Sequence, residues 1–240
     1  MIIDAHTHIG RVRGRTFTAG DLLGRLDAAG VDRAVVFSFV ENIDNDTVAE
    51  AARRHPDRLI PFAVVNPWQD DAETELRRRL DDGFRGVKLH PVRHGYPLDR
   101  RELTDPLFEI AAAARVPVLS FGGDDLFSTP DRFTSMARRH PSVDLIMAHM
   151  GFSNERDGAQ RSATENPNVY VETSGVQSAR YIVGAVQAAG AEKVVFGSNI
   201  PHEDLAESIA MTLTAAGPDH ADAVFHQNLS RLLGENGRPA

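Results

Sequence analysis

IIDAHTHIG (residues 2–10) opens the chain with hydrophobic residues among which Asp4, His6 and His8 stand at alternate positions. Successive residues of a β-strand point to opposite faces, so residues two apart share one. An extended reading therefore puts Asp4, His6 and His8 on one face and Ile3 and Ala5 on the other. The apolar face is expected to turn toward covering helices, and the polar face toward the axis of the fold. Burying two imidazoles without polar partners costs free energy, so the pair reads as part of a working site, with Asp4 orienting an imidazole N–H.

The same kind of short apolar run returns seven more times, each followed by a longer amphipathic stretch. Strands are expected at 2–6, 34–39, 59–65, 86–90, 116–121, 144–149, 169–173 and 193–198, with helices beginning near Ala19, Asp46, Asp71, Asp105, Pro130, Gly158, Ala179 and Glu203. Such alternation is the pattern of parallel strands linked by crossover helices. A chain of 240 residues suits eight units, since barrels of this kind run to about 250 residues. A ninth helix is expected over 221–233, and no Ser/Gly/Pro-rich linker interrupts the series. The expected fold is α/β, a single domain over residues 1–240 forming a (β/α)8 TIM barrel with an extra C-terminal helix. An open doubly wound sheet is the alternative, because counting elements does not show closure. Local signals agree: Thr129 before Pro130 suits a helix N-cap, and Gly30, Gly83 and Gly190 lie where helices should stop.

The charge pattern narrows the partners. Twenty-six Lys and Arg against 34 Asp and Glu give a net charge of −8 with no basic block, which argues against nucleic acid. Only two lysines occur, Lys88 and Lys193. With no cysteine, disulfides and thiolate ligands are excluded, and any metal must be held by nitrogen and oxygen. No apolar stretch is long enough to span a membrane and no signal-peptide layout precedes the first strand, so the expected location is the cytoplasm.

Parity extends to the other strands. It places Lys88 and His90 at the end of the fourth expected strand, Phe121 at the end of the fifth, His149 at the end of the sixth and Asn199 just past the eighth. Barrel enzymes build their sites at these C-terminal strand ends. His6 and His8, on one face of one strand, are able to reach a common ion. Lys88 either attracts a substrate carboxylate, acts as a base once neutralised by burial, or forms an interior ion pair with Asp4 or Glu172.

The segments DAHTHIG (4–10), GVKLHP (86–91), VPVLSFGG (116–123), LIMAHMG (145–151), VYVETSG (169–175) and VFGSNIPH (195–202) closely resemble those of the amidohydrolase superfamily, in its metal-dependent hydrolase branch with many small-acid decarboxylases. The closing FHQNLSRLLG (225–234) is similar to that family's terminal helix. The resemblance implies a divalent ion, zinc first, bound by the His-x-His pair, a fifth-strand histidine and an eighth-strand aspartate that also takes a proton from the bound water. A sixth-strand histidine would serve substrate, catalysis or a second ion. By this likeness His6, His8 and His149 match; Phe121 and Asn199 stand where histidine and aspartate are expected. Phenyl has no lone pair to offer, and a carboxamide neither accepts a proton at neutral pH nor balances an ion's charge.

Three functions follow as expectations. The first is a hydrolase or decarboxylase of a small carboxylate-bearing molecule with a reduced three-histidine metal site. The second is a metal-independent lyase, isomerase or cyclase in which His149 and His90 move protons while Lys88 and Asn199 hold substrate. The third is a non-catalytic ligand-binding barrel. Phe121, Asp124, Glu172 and His202 are candidate substrate contacts; Asp125 lies beside Asp124 in the same loop. For both loop acids helix capping or solvation is the structural reading, while Glu172 is equally able to face the helices. Barrels of this family are often dimers, so the resemblance allows a homodimer, while the residues themselves do not indicate an oligomeric state.

Overall fold

The computed structural model describes residues 1–123, 125–152 and 154–235. Its strands are β1 (Ile3–Val12), β2 (Arg15–Phe17), β3 (Arg33–Ser38), β4 (Leu59–Val64), β5 (Gly86–Leu89), β6 (Val118–Phe121), β7 (Leu145–Ala148), β8 (Val169–Glu172) and β9 (Val194–Val195). They form one sheet in the order β2-β1-β3-β4-β5-β6-β7-β8-β9. β2 returns antiparallel on β1, and all other ladders are parallel. The eight expected strands are thus β1 and β3 to β9, with β2 an addition the pattern did not announce. The sheet curls, and backbone hydrogen bonds run from β1 to the segment after β9: Ala5 N–H donates to Phe196 O at 2.9 Å, Asn199 N–H to His6 O at 2.8 Å and His8 N–H to Ile200 O at 3.0 Å. Thr7 and Ile200 form a parallel bridge beside them.

Strand alternation sorts the apolar residues into two layers. Val35, Phe37, Phe62, Val64, Leu119, Ile146, Tyr170 and Val195 pack inside the curl. Ala34, Val36, Ala63, Val87, Leu89, Val118, Met147 and Val171 pack beneath the helices. The expected terminal helix consists of a π-helical turn (Ala223–Gln227) followed by an α-helical turn (Asn228–Leu232). Leu229, Leu232 and Leu233 join the inner layer from it. Asn228 Nδ2 fixes the segment by donating to Ala191 O and Val194 O, each at 2.8 Å.

β1 departs from simple parity. Ile3 and Ala5, expected under the helices, belong to the inner layer. The cause is a register shift against β3: Asp4 pairs with Ala34, but Thr7 pairs with Val36, so β1 holds one extra residue between them. Such a bulge lets two consecutive residues point the same way. Asp4 consequently shares a face with Ala34 rather than with the histidines. Its carboxylate accepts from His6 N–H at 2.9 Å, from Ser198 N–H at 3.0 Å and from the Ser198 hydroxyl; it orients no imidazole.

Burial pushes the Asp4 pKa up to about 7, against the hydrogen bonds that pull it down. The folded state therefore keeps this carboxyl protonated over a range in which the unfolded chain has released its proton. The associated stabilisation is complete below about pH 4 and is lost as pH rises through about 7, a swing on the order of 4 kcal/mol. Asp4→Asn removes that titration while preserving the acceptor oxygen. Thermal unfolding followed from pH 4 to 8 should show a flatter stability profile for Asp4→Asn than for the native chain; parallel profiles would refute the assignment.

Several helix starts are capped by side chains, but the one singled out by sequence is not. Thr18 makes a complete capping box with Asp21, and Asp44 and Asp204 accept from Thr47 N–H and Glu207 N–H. Thr129 occupies the N-cap position before Pro130, but its hydroxyl makes no capping hydrogen bond. Gly30 closes the first helix in the left-handed conformation, at φ 69°. Among the described residues, no helix is long and apolar enough to cross a membrane.

Candidate active site

The C-terminal ends of the strands bring the polar residues to one mouth. Lys88 pairs with Leu119, an inner-layer residue, so its side chain lies inside the curl, where it is 1% exposed. His90 follows at the start of a four-residue helical turn (Pro91–His94), and its Nδ1 accepts from Arg93 N–H at 3.4 Å. That bond leaves Nε2 as the proton-bearing nitrogen. The ring stacks on Phe121, with centroids 4.4 Å apart and planes at 11°.

His149 reaches the mouth by a different route. β7 ends at inward-facing Ala148, so continued extension would send the next side chain outward. Instead His149 and Met150 adopt φ values of 66° and 49°, and the imidazole comes against His6 with centroids 5.1 Å apart. Phe152 and Asn199 are also left-handed, at 52° and 59°. With Arg13, at 48° and also lining the cavity, they make five non-glycine residues with positive φ around it, a local concentration of backbone strain.

Glu172, at the end of β8, faces inward and gathers the deepest network. Its Oε2 accepts from His6 Nδ1 at 3.0 Å, from Ser174 Oγ at 2.9 Å and from His149 N–H at 3.4 Å; its Oε1 accepts from Ser174 N–H at 2.6 Å. Since the carboxylate accepts, His6 carries its proton on Nδ1. The bare Nε2 then receives a long hydrogen bond from Lys88 Nζ, at 3.4 Å. Ser174 Oγ also lies 3.0 Å from His149 Nδ1, which leaves His149 Nε2 as that ring's free lone pair. Gly197 provides room for the carboxylate, because a Cβ there would stand 2.1 Å from Oε1.

His8 belongs to a second chain nearer the opening. Its Nε2–H donates to Asn199 Oδ1 at 3.1 Å, and Asn199 Nδ2 donates to Glu203 Oε1 at 3.0 Å. Glu203 Oε2 accepts from Gly175 N–H at 3.1 Å. His8 Nδ1 is buried without a partner among the described residues, and the ring stacks on Phe39 with centroids 5.0 Å apart. Both chains border a cavity of about 260 Å³ walled by Phe39, Phe121 and Phe152 and edged by His202, Glu203 and Arg93.

Burial governs the electrostatics here. Desolvation pulls His90 down to about 2 and His149 to about 4, and holds His6 and His8 well below the ordinary histidine range. All four rings are neutral at pH 7. Burial also lowers Lys88 to about 7, with Glu172 opposing, while burial raises Glu172 against the attraction of His149 and the Ser174 hydrogen bonds. Desolvation raises Glu203 and lowers half-buried His202.

Of the residues singled out by sequence, the fold collects His6, His8, Lys88, His90, Phe121, His149, Asn199 and His202 around the cavity, with Glu172 just behind. Asp125 turns its carboxylate onto its own loop, accepting from Phe127 N–H at 2.6 Å and the Ser128 hydroxyl at 2.7 Å. Asp124 lies outside the described residues. Glu203 and Ser174 were not anticipated. Both sit in loops past strand ends, where parity carries no information, although GSNIPHE and ETSG place them only a few residues from marked positions.

His6, His149 and Glu172 bring donor atoms within 4.8 Å of one another, a spacing able to ring a metal ion. His8 is not in that group, although its ring lies 5.3 Å from that of His6 and lines the same cavity as His6 and His149. The donor set fits an ion poorly. Phe121 has no lone pair, Asn199 is a neutral amide bonded on both sides, both His6 nitrogens are engaged, and Ser174 Oγ lies between the three converging groups.

A curled parallel sheet flanked by helices, with its polar residues gathered where the strands end, defines a TIM-barrel-like α/β protein with an enzyme-type cleft. The chain belongs to the amidohydrolase family, whose model matches residues 3–236. It is 25% identical to the gamma-resorcylate decarboxylase of Rhizobium radiobacter over 81% of this chain and 76% of that protein. An uncharacterized TIM-barrel protein of Bordetella bronchiseptica superposes with a TM-score of 0.82 at 20% identity, over 99% of each chain. A dihydroxybenzoic acid decarboxylase of a Polaromonas species, solved with manganese and the inhibitor 2-nitroresorcinol, superposes with a TM-score of 0.77 at 18% identity, over 98% of this chain and 97% of that one.

Proposed function

We propose that this amidohydrolase-family chain is a decarboxylase of small hydroxylated aromatic carboxylic acids. The observation that carries the reading is a buried ammonium, Lys88, on a cavity walled by three phenyl rings. Aromatic walls suit a flat ring, and a cation away from water strongly attracts a carboxylate. The gamma-resorcylate and dihydroxybenzoic acid decarboxylases among its relatives support the same class. The reading takes residues 1–240 as one domain and the curled sheet as a closed barrel, supported by the hydrogen bonds between β1 and residues 196–200.

Decarboxylation is favoured over hydrolysis because Asn199 has no basic oxygen with which to activate water. Roles follow from the hydrogen-bond directions. His149 Nε2 takes the proton of a phenolic hydroxyl, which drives electron density onto the ring carbon bearing the carboxylate. That carbon receives a proton from Lys88, whose three N–H bonds include one held by His6. The bond to the carboxylate then breaks, its electron pair restores the aromatic ring, and carbon dioxide leaves. His90 Nε2–H and the Asn199 amide hold the substrate's oxygens. No step is assigned to an ion.

A panel of hydroxybenzoates, assayed for carbon dioxide release beside a panel of esters, amides and lactones, tests the reading. Turnover is expected with at least one hydroxybenzoate. Hydrolysis in the second panel with no carbon dioxide from the first would overturn it.

A further inference from the structure

The site keeps the imidazoles of a metal-binding family, yet most of its polar atoms are bonded to each other, and the two lone pairs left over, His149 Nε2 and His8 Nδ1, belong to separate chains of hydrogen bonds. We propose that the Lys88 ammonium is the resident cation of this site, balanced by Glu172 through His6, and that the protein binds its carboxylate substrate without a divalent metal. The inference rests on the preceding reading only for the identity of that carboxylate.

Four observations converge on it. First, of the positions that resemblance assigns to metal ligation, Phe121 and Asn199 are unable to supply a charged or strongly basic donor, and each has another partner: Phe121 stacks on His90, and Asn199 links His8 to Glu203. Second, His6 has no lone pair to spare, since Nδ1–H donates to Glu172 and Nε2 accepts from Lys88. An ion on Nε2 would stand where the ammonium stands, 3.4 Å from the same nitrogen. Third, the trio His6, His149 and Glu172 closes on the Ser174 hydroxyl, which lies 2.9 to 3.4 Å from one atom of each. A hydroxyl with three such neighbours satisfies them as a bound ion otherwise would. Fourth, a carboxyl and an amine of opposite charge type already flank the His6 ring: Glu172 is bonded to its Nδ1, and Lys88 lies on the other side of that ring, 4.8 Å over the face of Phe37.

The ammonium supplies what an electrophilic cation supplies to an anionic substrate, namely attraction, orientation and stabilisation of charge on the carboxylate oxygens. It differs in having protons of its own, which no metal ion has. A metal site whose ligands changed to phenyl and carboxamide would lose affinity for the ion while keeping a cleft shaped for its substrate; the lysine makes that cleft usable.

Calorimetric titration of the full chain, dialysed against dipicolinate, decides the matter with Mn²⁺, Zn²⁺ and 2-hydroxybenzoate as probes. Neither ion should bind more tightly than about 1 mM, 2-hydroxybenzoate should bind equally well before and after chelation, and Lys88→Met should weaken it at least tenfold at every metal concentration. Uptake of one equivalent of either ion at micromolar concentration, or hydroxybenzoate binding that appears only with metal, would overturn the proposal. The titrations with native protein stand even if Lys88→Met fails to fold. Failure of the decarboxylase reading is read separately, as absent turnover and absent 2-hydroxybenzoate binding in a protein that still refuses both ions.

Discussion

Glu172→Ala will lower the free energy of unfolding by about 3–5 kcal/mol, as expected when one partner of a buried ionic network is removed. The carboxylate is wholly buried and accepts from the His6 ring, the Ser174 hydroxyl and two backbone N–H groups. Truncation leaves these donors facing a cavity and takes away the charge that offsets Lys88. Glu172→Gln keeps the shape but presents an N–H₂ group to donors, so it should fall between the native chain and Glu172→Ala. Urea unfolding of the three proteins checks the order. A loss below about 1 kcal/mol for Glu172→Ala would mean that the network is more solvated than its burial indicates.

His149→Ala will reduce the turnover number for carbon dioxide release by about 10²- to 10⁴-fold, the range for losing a positioned acid or base. Its Nδ1 is engaged by Ser174 and its Nε2 borders the cavity, so the ring has one fixed orientation and one free lone pair. Burial holds it near pKa 4, so it is neutral and able to accept at pH 7. KM should change much less, because the proposed carboxylate anchor is Lys88. Steady-state kinetics on a hydroxybenzoate substrate make the comparison; an effect under tenfold would remove His149 from the proton path.

Much of the architecture was legible because one alternation governs it. Short apolar runs separated by amphipathic stretches located the eight parallel strands, and parity placed Lys88 on the inner face beside its inner-layer ladder partners Leu119 and Val64, while His90 lines the cavity from the turn just past the strand. Parity failed where the backbone is irregular. The bulge between Asp4 and Thr7 reversed the expected faces of Ile3, Ala5 and Asp4. Two left-handed residues then brought His149 inward from a position where regular extension points out. Glu172 was ambiguous because β8 is only four residues long, too short to show a period; its neighbours Tyr170 and Val171 fall in the inner and outer layers and settle its direction. Which imidazoles face one another depended on side-chain partners such as Ser174 and Asn199, and no spacing rule encodes those.

The left-handed residues around the cavity bear on any attempt to engineer this enzyme for robustness. Substituting glycine at His149, Met150, Phe152 or Asn199 would relax the chain, and a selection scored on heat resistance alone would be drawn to these sites. Two of the four, His149 and Asn199, are the residues to which we assign the proton path and the oxygen contacts, so gains there would come at the expense of turnover. Hardening is better sought in the distant helices, where sequence can drift without disturbing the aim of a single imidazole.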